Sequence, residues 1–375
     1  MSQMASTEPA GADIAGASPQ WRPRYSMVDA WRGLASLGVV IDHLGRNGGF
    51  DLGHCCVMIF FVISGYCIAA ATDSCRRNHV GFAGYMWRRV RRIYPPYFFA
   101  LCFFTVTRFV KMHAGMGDQL STSAVAWLQN LTMTQWLSSL THPTSYAFQN
   151  PTLFVAGFWS LNYEEQFYLV MGLLLFSAMA LRRSMLSGIL LLMIPALIWN
   201  LYFPSRSYGF FLEYWVAFAL GALVFYRLCK MTTPASRWAT DLGLFGLLLF
   251  SLYCRSSVPH GMRSVYFEWI VTSSFALVLV ALRGLDDRFR ASTMGVVLGS
   301  FGLISYSLYL THQVNLRSSQ LIADKLIRWG LPHGLGFFVR IAVMSAIAAI
   351  FWYFCERPFL NRPLPITAPA ESRQG

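Results

Sequence analysis

Arg32 and His43 stand eleven residues apart in the stretch Asp29-Ala-Trp-Arg-Gly-Leu-Ala-Ser-Leu-Gly-Val-Val-Ile-Asp-His43. On an α-helix eleven residues return to within ~20° of the same direction after roughly 16 Å of rise. A guanidinium and an imidazole therefore share one face, with Asp29 and Ser36 near the same stripe. A neutral imidazole can take a hydroxyl proton near pH 7, although such a stripe also serves simply to pair helices.

Three further constellations carry chemistry-bearing side chains. Phe158-Trp-Ser-Leu-Asn-Tyr-Glu-Glu-Gln-Phe-Tyr-Leu169 sets Glu164 and Glu165 about one and a half turns into an apolar run, where adjacent residues point ~100° apart. Ser305, Tyr309 and His312 follow i, i+4, i+7 spacing, one polar stripe of a helix. Trp87-Arg-Arg-Val-Arg-Arg-Ile-Tyr-Pro-Pro96 packs Arg88, Arg89, Arg91 and Arg92 before an apolar run. Such a cluster marks a stop-transfer boundary, and its forked donors also suit bidentate phosphate recognition, with Tyr85, Trp87 and Tyr94 near enough in sequence to stack on a purine.

The elements that must position these residues are membrane spans. Of 375 residues 55% are hydrophobic and only 13% charged, with a mean hydropathy of +0.45; a soluble chain carries about 25% charged residues. A span needs ~20 mostly apolar residues. Ten candidates lie near 27–45, 53–71, 95–110, 158–181, 185–203, 210–229, 239–255, 265–282, 294–312 and 335–355. The expectation is an all-α integral membrane protein, a bundle of about ten transmembrane helices. A net charge of +13 sits in short clusters between apolar runs, the pattern of positive-inside loops and anionic headgroups rather than of nucleic-acid binding. With both termini cytoplasmic, 19 of the 30 Lys and Arg fall inside and nine outside, among the latter Arg46 and Arg206. Residues 1–24 then read as a disordered cytoplasmic tail, 25–360 as the membrane domain and 361–375 as a second tail. Segment 111–157 becomes a long outer loop with Trp127 and Trp136 as interfacial anchors. The eight cysteines show no CxxC and no disulfide framework.

Ionisable residues inside spans are costly and are functional hypotheses by default. On this topology His43, Glu164/Glu165 and His312 come from three spans to one depth near the outer face, the ninth span ending at His312, while the arginines lie at the inner face. Glu356, at the inner end of the last span, suits pairing with Arg or closure of the bundle.

These motifs carry a resemblance. The chain resembles the acyltransferase 3 family of bacterial membrane enzymes, which O-acylate extracytoplasmic glycans and some other acceptors. The match runs from Arg32–His43 through Phe60-Phe-Val-Ile-Ser-Gly-Tyr66, Arg89-Val-Arg-Arg92-Ile-Tyr-Pro95, Trp159-Ser-Leu-Asn-Tyr-Glu-Glu-Gln-Phe-Tyr168 and Ser305–His312 to Glu356-Arg-Pro358. It implies a cytoplasmic acyl-CoA donor and makes Arg32–His43 and Arg89–Arg92 the functional residues. Asp42 departs from the apolar residue usual before the histidine.

The expected activity is thus O-acyl transfer, with acetyl as the group, from acyl-CoA to a hydroxyl of a glycan, lipid-linked sugar or small-molecule acceptor at the bacterial inner membrane. No cofactor beyond the acyl-CoA substrate is expected. Arg88, Arg89 and Arg92 would bind the donor and His43 would act as base. Glu164 or Glu165 would orient the imidazole, and Trp159, Ser305, Tyr309 and His312 would contact substrate. The alternative class is a transporter or flippase for a charged lipid or sugar, against which the chain shows no repeated halves.

Overall fold

In a computed structural model of the chain, residues 25–45, 51–115, 121–182, 184–204, 207–257 and 263–361 are described. The expected tails 1–24 and, apart from Asn361, 361–375 lie outside them, as do Arg46 and Arg206. The regular structure of the described residues is helical, with one isolated β-bridge, Thr144 to Ser207. The principal helices are α1 (Ser26–Gly45), α2 (Leu52–Arg77), α3 (Phe82–His113), α4 (Ala124–Thr132), α5 (Trp136–Thr141), α6 (Trp159–Ala180), α7 (Met185–Tyr202), α8 (Trp215–Cys229), α9 (Pro234–Ser257), α10 (Arg263–Leu282), α11 (Asp286–Ala291), α12 (Thr293–Arg328) and α13 (Gly336–Phe351).

Each of the ten expected apolar segments forms a helix. By length and composition, six helical segments suffice to cross a membrane: Leu52–Arg77, Phe82–His113, Met185–Tyr202, Ser264–Ala291, Thr293–Arg328 and His333–Phe359; Trp215–Cys229 is apolar but shorter. The charges on α1 and α6 lower their hydropathy for the same reason that they are of interest chemically.

Three boundaries differ from the sequence reading. Helix α3 begins at Phe82, so Arg88, Arg89 and Arg92 stand on the helix itself, and Pro95 and Pro96 fall inside it. Helix α12 runs 36 residues, with no Gly or Pro from Gln313 until Gly330 and Pro332. His312 is therefore mid-helix and 1% exposed, not a terminal interfacial histidine. The 111–157 segment contains α4 and α5, folded round Asn130, which is fully buried. The Asn130 amide donates to the carbonyls of Ala126 and Thr152, and its oxygen accepts from Gln135. Trp127 packs edge-on against Phe154.

Two pairs of glycines let helices approach closely enough to build the interior. A Cβ on Gly65 of α2 would meet the Phe218 carbonyl of α8, and one on Gly221 of α8 would meet the Val62 carbonyl of α2. Across α1 and α12, a Cβ on Gly302 would run into the Asp29 carbonyl, and one on Gly33 would meet the Leu298 carbonyl at 2.6 Å. Small residues at such contacts are how helices associate where lipid supplies no hydrophobic drive. The second pair brings the Arg32–His43 helix against the Ser305–His312 helix.

Candidate functional site

Two cavities lie along the α1–α12 seam. The larger, about 520 Å³, is lined by five arginines: Arg32 of α1, Arg88, Arg89 and Arg92 of α3, and Arg283. Ser64, Ser160, Glu164, Ser305 and Asn361 also face it. Arg89 lies over the rings of Tyr85 and Tyr168, with its charge centre 5.4 and 5.2 Å from their centroids. Its buried Nε has no hydrogen-bond partner among the described residues. A desolvated donor of this kind costs free energy unless a ligand satisfies it.

The smaller cavity, about 210 Å³, is lined by Asp42, His43, Asp51, His54, Trp159 and His312, with Gln313 and Phe148 beside them. Tyr309 lines both cavities. Its hydroxyl donates to the Gly157 carbonyl and lies 2.6 Å from Ser160 Oγ, so α12 is tied to the start of α6 where the two spaces meet. The Ser305–Tyr309–His312 stripe therefore runs from one cavity to the other, as Arg32 and His43 do on α1.

The imidazoles of His43 and His312 meet edge to face, ring centroids 4.9 Å apart. His43 Nδ1 donates to the Val39 carbonyl at 2.8 Å, and His312 Nδ1 donates to the Tyr309 carbonyl at 2.7 Å. A carbonyl can only accept, so each neutral ring keeps its lone pair on Nε2. The Nε2 of His43 receives an N–H from the Gln313 amide at 3.2 Å; that of His312, buried, has no partner among the described residues.

Neither carboxylate expected to orient His43 does so. Glu164 lies one helical turn beyond Ser160 and faces the arginine cavity, accepting from Tyr168 at 2.6 Å and from Ser64 at 3.3 Å. Glu165 points ~100° away, towards α3, where it accepts from the Tyr94 hydroxyl. The reason is helical phase: α6 presents Trp159 to the histidine cavity and Glu164, more than a turn further on, to the arginines. Of the three aromatics suggested for purine stacking, Tyr85 is fully buried under Arg89, Trp87 is 66% exposed, and Tyr94 is turned to Glu165. Glu356 is buried and accepts from Ser307 at 2.5 Å, closing the bundle.

Sequence reading missed four participants. Gln313 directly follows the polar stripe but lacks an ionisable group. His54 Nε2 bonds Glu268 at 2.8 Å; Glu268, an ionisable residue within an apolar run, carried the signal that singled out Glu164. Arg283 follows the eighth apolar run and counted only as a topology charge. Among the described residues no group of three or more His, Cys, Asp or Glu could hold a metal ion.

Residues 26–357 match the profile of the acyltransferase domain of the acyltransferase 3 family. The chain is similar, at 26% identity over 364 residues, to a putative peptidoglycan O-acetyltransferase, YrhL, of Bacillus subtilis. That alignment takes in 88% of this chain and 54% of the relative. It is 25% identical over 333 residues to the exopolysaccharide production protein ExoZ of Rhizobium meliloti, covering 86% of this chain and 95% of that one. A shorter match, 30% over 163 residues, takes in 41% of this chain and 25% of the O-acetyltransferase OatA of Staphylococcus aureus. The chain thus spans about half of the first relative and a quarter of the last. No solved structure matches.

Proposed function

The chain belongs to the acyltransferase 3 family, and from that premise we propose that it is a membrane-bound O-acyltransferase moving an acyl group, acetyl in the first instance, from cytoplasmic acyl-CoA to a hydroxyl of an extracytoplasmic glycan. The observation that carries this reading is the pair of cavities meeting at Tyr309, one lined by arginines and the other by imidazoles. Guanidinium forks suit the phosphates of a CoA, and the unpartnered Nε of Arg89 is a donor that such a ligand would satisfy. The small second cavity, where Asp42, Asp51, His54 and Gln313 stand beside Phe148 and Trp159, offers the mix of polar groups and aromatic faces that suits one unit of a sugar chain.

In this reading the thioester reaches past Tyr309 towards the histidine cavity. His43 Nε2 takes the proton of the acceptor hydroxyl as its oxygen attacks the thioester carbonyl carbon. The new C–O ester bond forms, the C–S bond breaks, and CoA leaves as the thiolate, which recovers a proton. Arg32, Arg88, Arg89 and Arg92 hold the donor; Trp159, His312, Ser305 and Tyr309 line the route and contact substrate. Glu164 offsets the arginine charge rather than supporting the base. We further propose ten crossings, both termini cytoplasmic, and residence in the bacterial inner membrane. The names of the relatives, which speak of peptidoglycan and exopolysaccharide, favour a glycan acceptor.

The test is thioester cleavage by the purified full-length protein, supplied with radiolabelled acetyl-CoA and either peptidoglycan fragments or exopolysaccharide oligomers. Base-labile label on the glycan supports the reading. Transport of a glycan without thioester cleavage would replace it with a translocator.

A further inference from the structure

The Gln313 side chain bridges two fixed points. Its Oε1 accepts the backbone N–H of Gly157 at 2.8 Å, and its Nε2 faces His43 Nε2 at 3.2 Å. The Gly157 N–H can only donate, so the amide oxygen must face it and the NH₂ must face the histidine. Flipping the amide would set two donors against each other at Gly157. Gly157 is itself held by Tyr309, whose hydroxyl donates to its carbonyl, and a Cβ at that position would come within 3.1 Å of the Gln313 amide carbon. His43 is anchored independently, by Nδ1–H on Val39.

We propose that Gln313 is a positioning residue for the acyl-transfer reaction, which aims His43 Nε2 by presenting to it an N–H that the Gly157 contact prevents from being flipped for an oxygen. A second proton on the ring would have to sit on Nε2 and would meet that N–H head-on. The amide also covers the nitrogen until an acceptor hydroxyl displaces it, so the base is exposed only when its substrate is in place. The titratable groups lining the same cavity are Asp42 on α1, Asp51 and His54 at the start of α2, and Tyr309 and His312 on α12; the Gly157–Trp159 wall adds none. The inference rests on the reading of His43 as the base.

The test is Gln313→Glu in the full-length protein in detergent, with His43 observed by ¹⁵N NMR of histidine-labelled protein and assigned by its loss in His43→Ala. The glutamate keeps the oxygen that Gly157 holds and turns the facing donor into an anionic acceptor. The doubly protonated ring should then persist to a pH higher by about one unit or more. The acid limb of acetyl transfer should move up with it, and the rate at neutral pH should fall about tenfold or more, with little change in the KM for acetyl-CoA. Gln313→Met, of similar length but without the donor, should shift both in the same direction by less, and serves if the glutamate variant does not fold. An unchanged His43 titration and pH profile in the folded variants would overturn the proposal. His43→Ala, assayed in parallel, separates the two readings: wild-type turnover there removes the base assignment, whereas an inactive His43→Ala beside an unshifted Gln313→Glu removes only the role of Gln313.

Discussion

His43 of α1 and His312 of α12 stand edge to face with ring centroids 4.9 Å apart, and both direct Nδ1–H at a carbonyl of their own helix. Each therefore keeps its basic nitrogen on Nε2, and both side chains line one small cavity. Only His43 has that nitrogen hydrogen-bonded by a side chain, and this distinguishes the proposed base from its neighbour.

Replacing His43 with alanine should lower acetyl transfer by roughly 10²–10⁴-fold, the usual effect of losing a general base, while the protein stays folded. Turnover of purified variant, normalised to its monodisperse fraction on size exclusion, measures this. Wild-type turnover would sink the assignment.

At the other cavity, Arg89→Ala should weaken acyl-CoA binding about 10–100-fold, from the loss of one or two charge-assisted hydrogen bonds at roughly 1.5–3 kcal/mol each, with some compensation by the remaining arginines. On the proposed reading the guanidinium holds the end of the donor that does not react, so KM should rise more than kcat falls. Calorimetric titration with CoA checks it; unchanged affinity would leave Arg89 as a topology signal.

Gly302→Ala should act at a distance. The added Cβ would collide with the Asp29 carbonyl, so α1 must move off α12 at a cost of about 1–3 kcal/mol, typical of overpacking. The expected result is a lower thermal midpoint in detergent together with lower turnover, because the contact that sets His43 beside Gln313 is the one disturbed. Gly299→Ala, one turn away with open space round its Cβ, is the control and should change neither.

The orientation can be read from accessibility. Cysteines placed at the exposed positions Ser121 and His79 should label oppositely with a membrane-impermeant maleimide in intact spheroplasts, once the exposed native Cys102 and Cys229 are replaced by serine. Ser121→Cys should react and His79→Cys should not. The reverse pattern would invert the topology and make a cytoplasmic acceptor the better reading.

The sequence alone determined the class of protein, the ten apolar helices and the two polar faces, Arg32–His43 and Ser305–His312. These follow from quantities local to a segment: hydropathy over about twenty residues, and the 100° turn per residue that places i, i+4 and i+7 on one stripe. The arginine cluster was legible for the same reason, as charge density in a short window. Partnership was not legible. That Glu164 belongs with the arginines and Glu165 with Tyr94, that His54 meets Glu268, and that an uncharged glutamine faces His43 all depend on the rotation and depth of each helix against its neighbours. Those are decided by side chains remote in sequence, above all by Gly33 and Gly302, which let α1 and α12 close until backbone nearly touches backbone. The extension of α12 past His312 was beyond the reach of hydropathy, which ended the ninth span there; in the fold the helix goes on, with Asn315, Ser319 and Ala323 buried along one side.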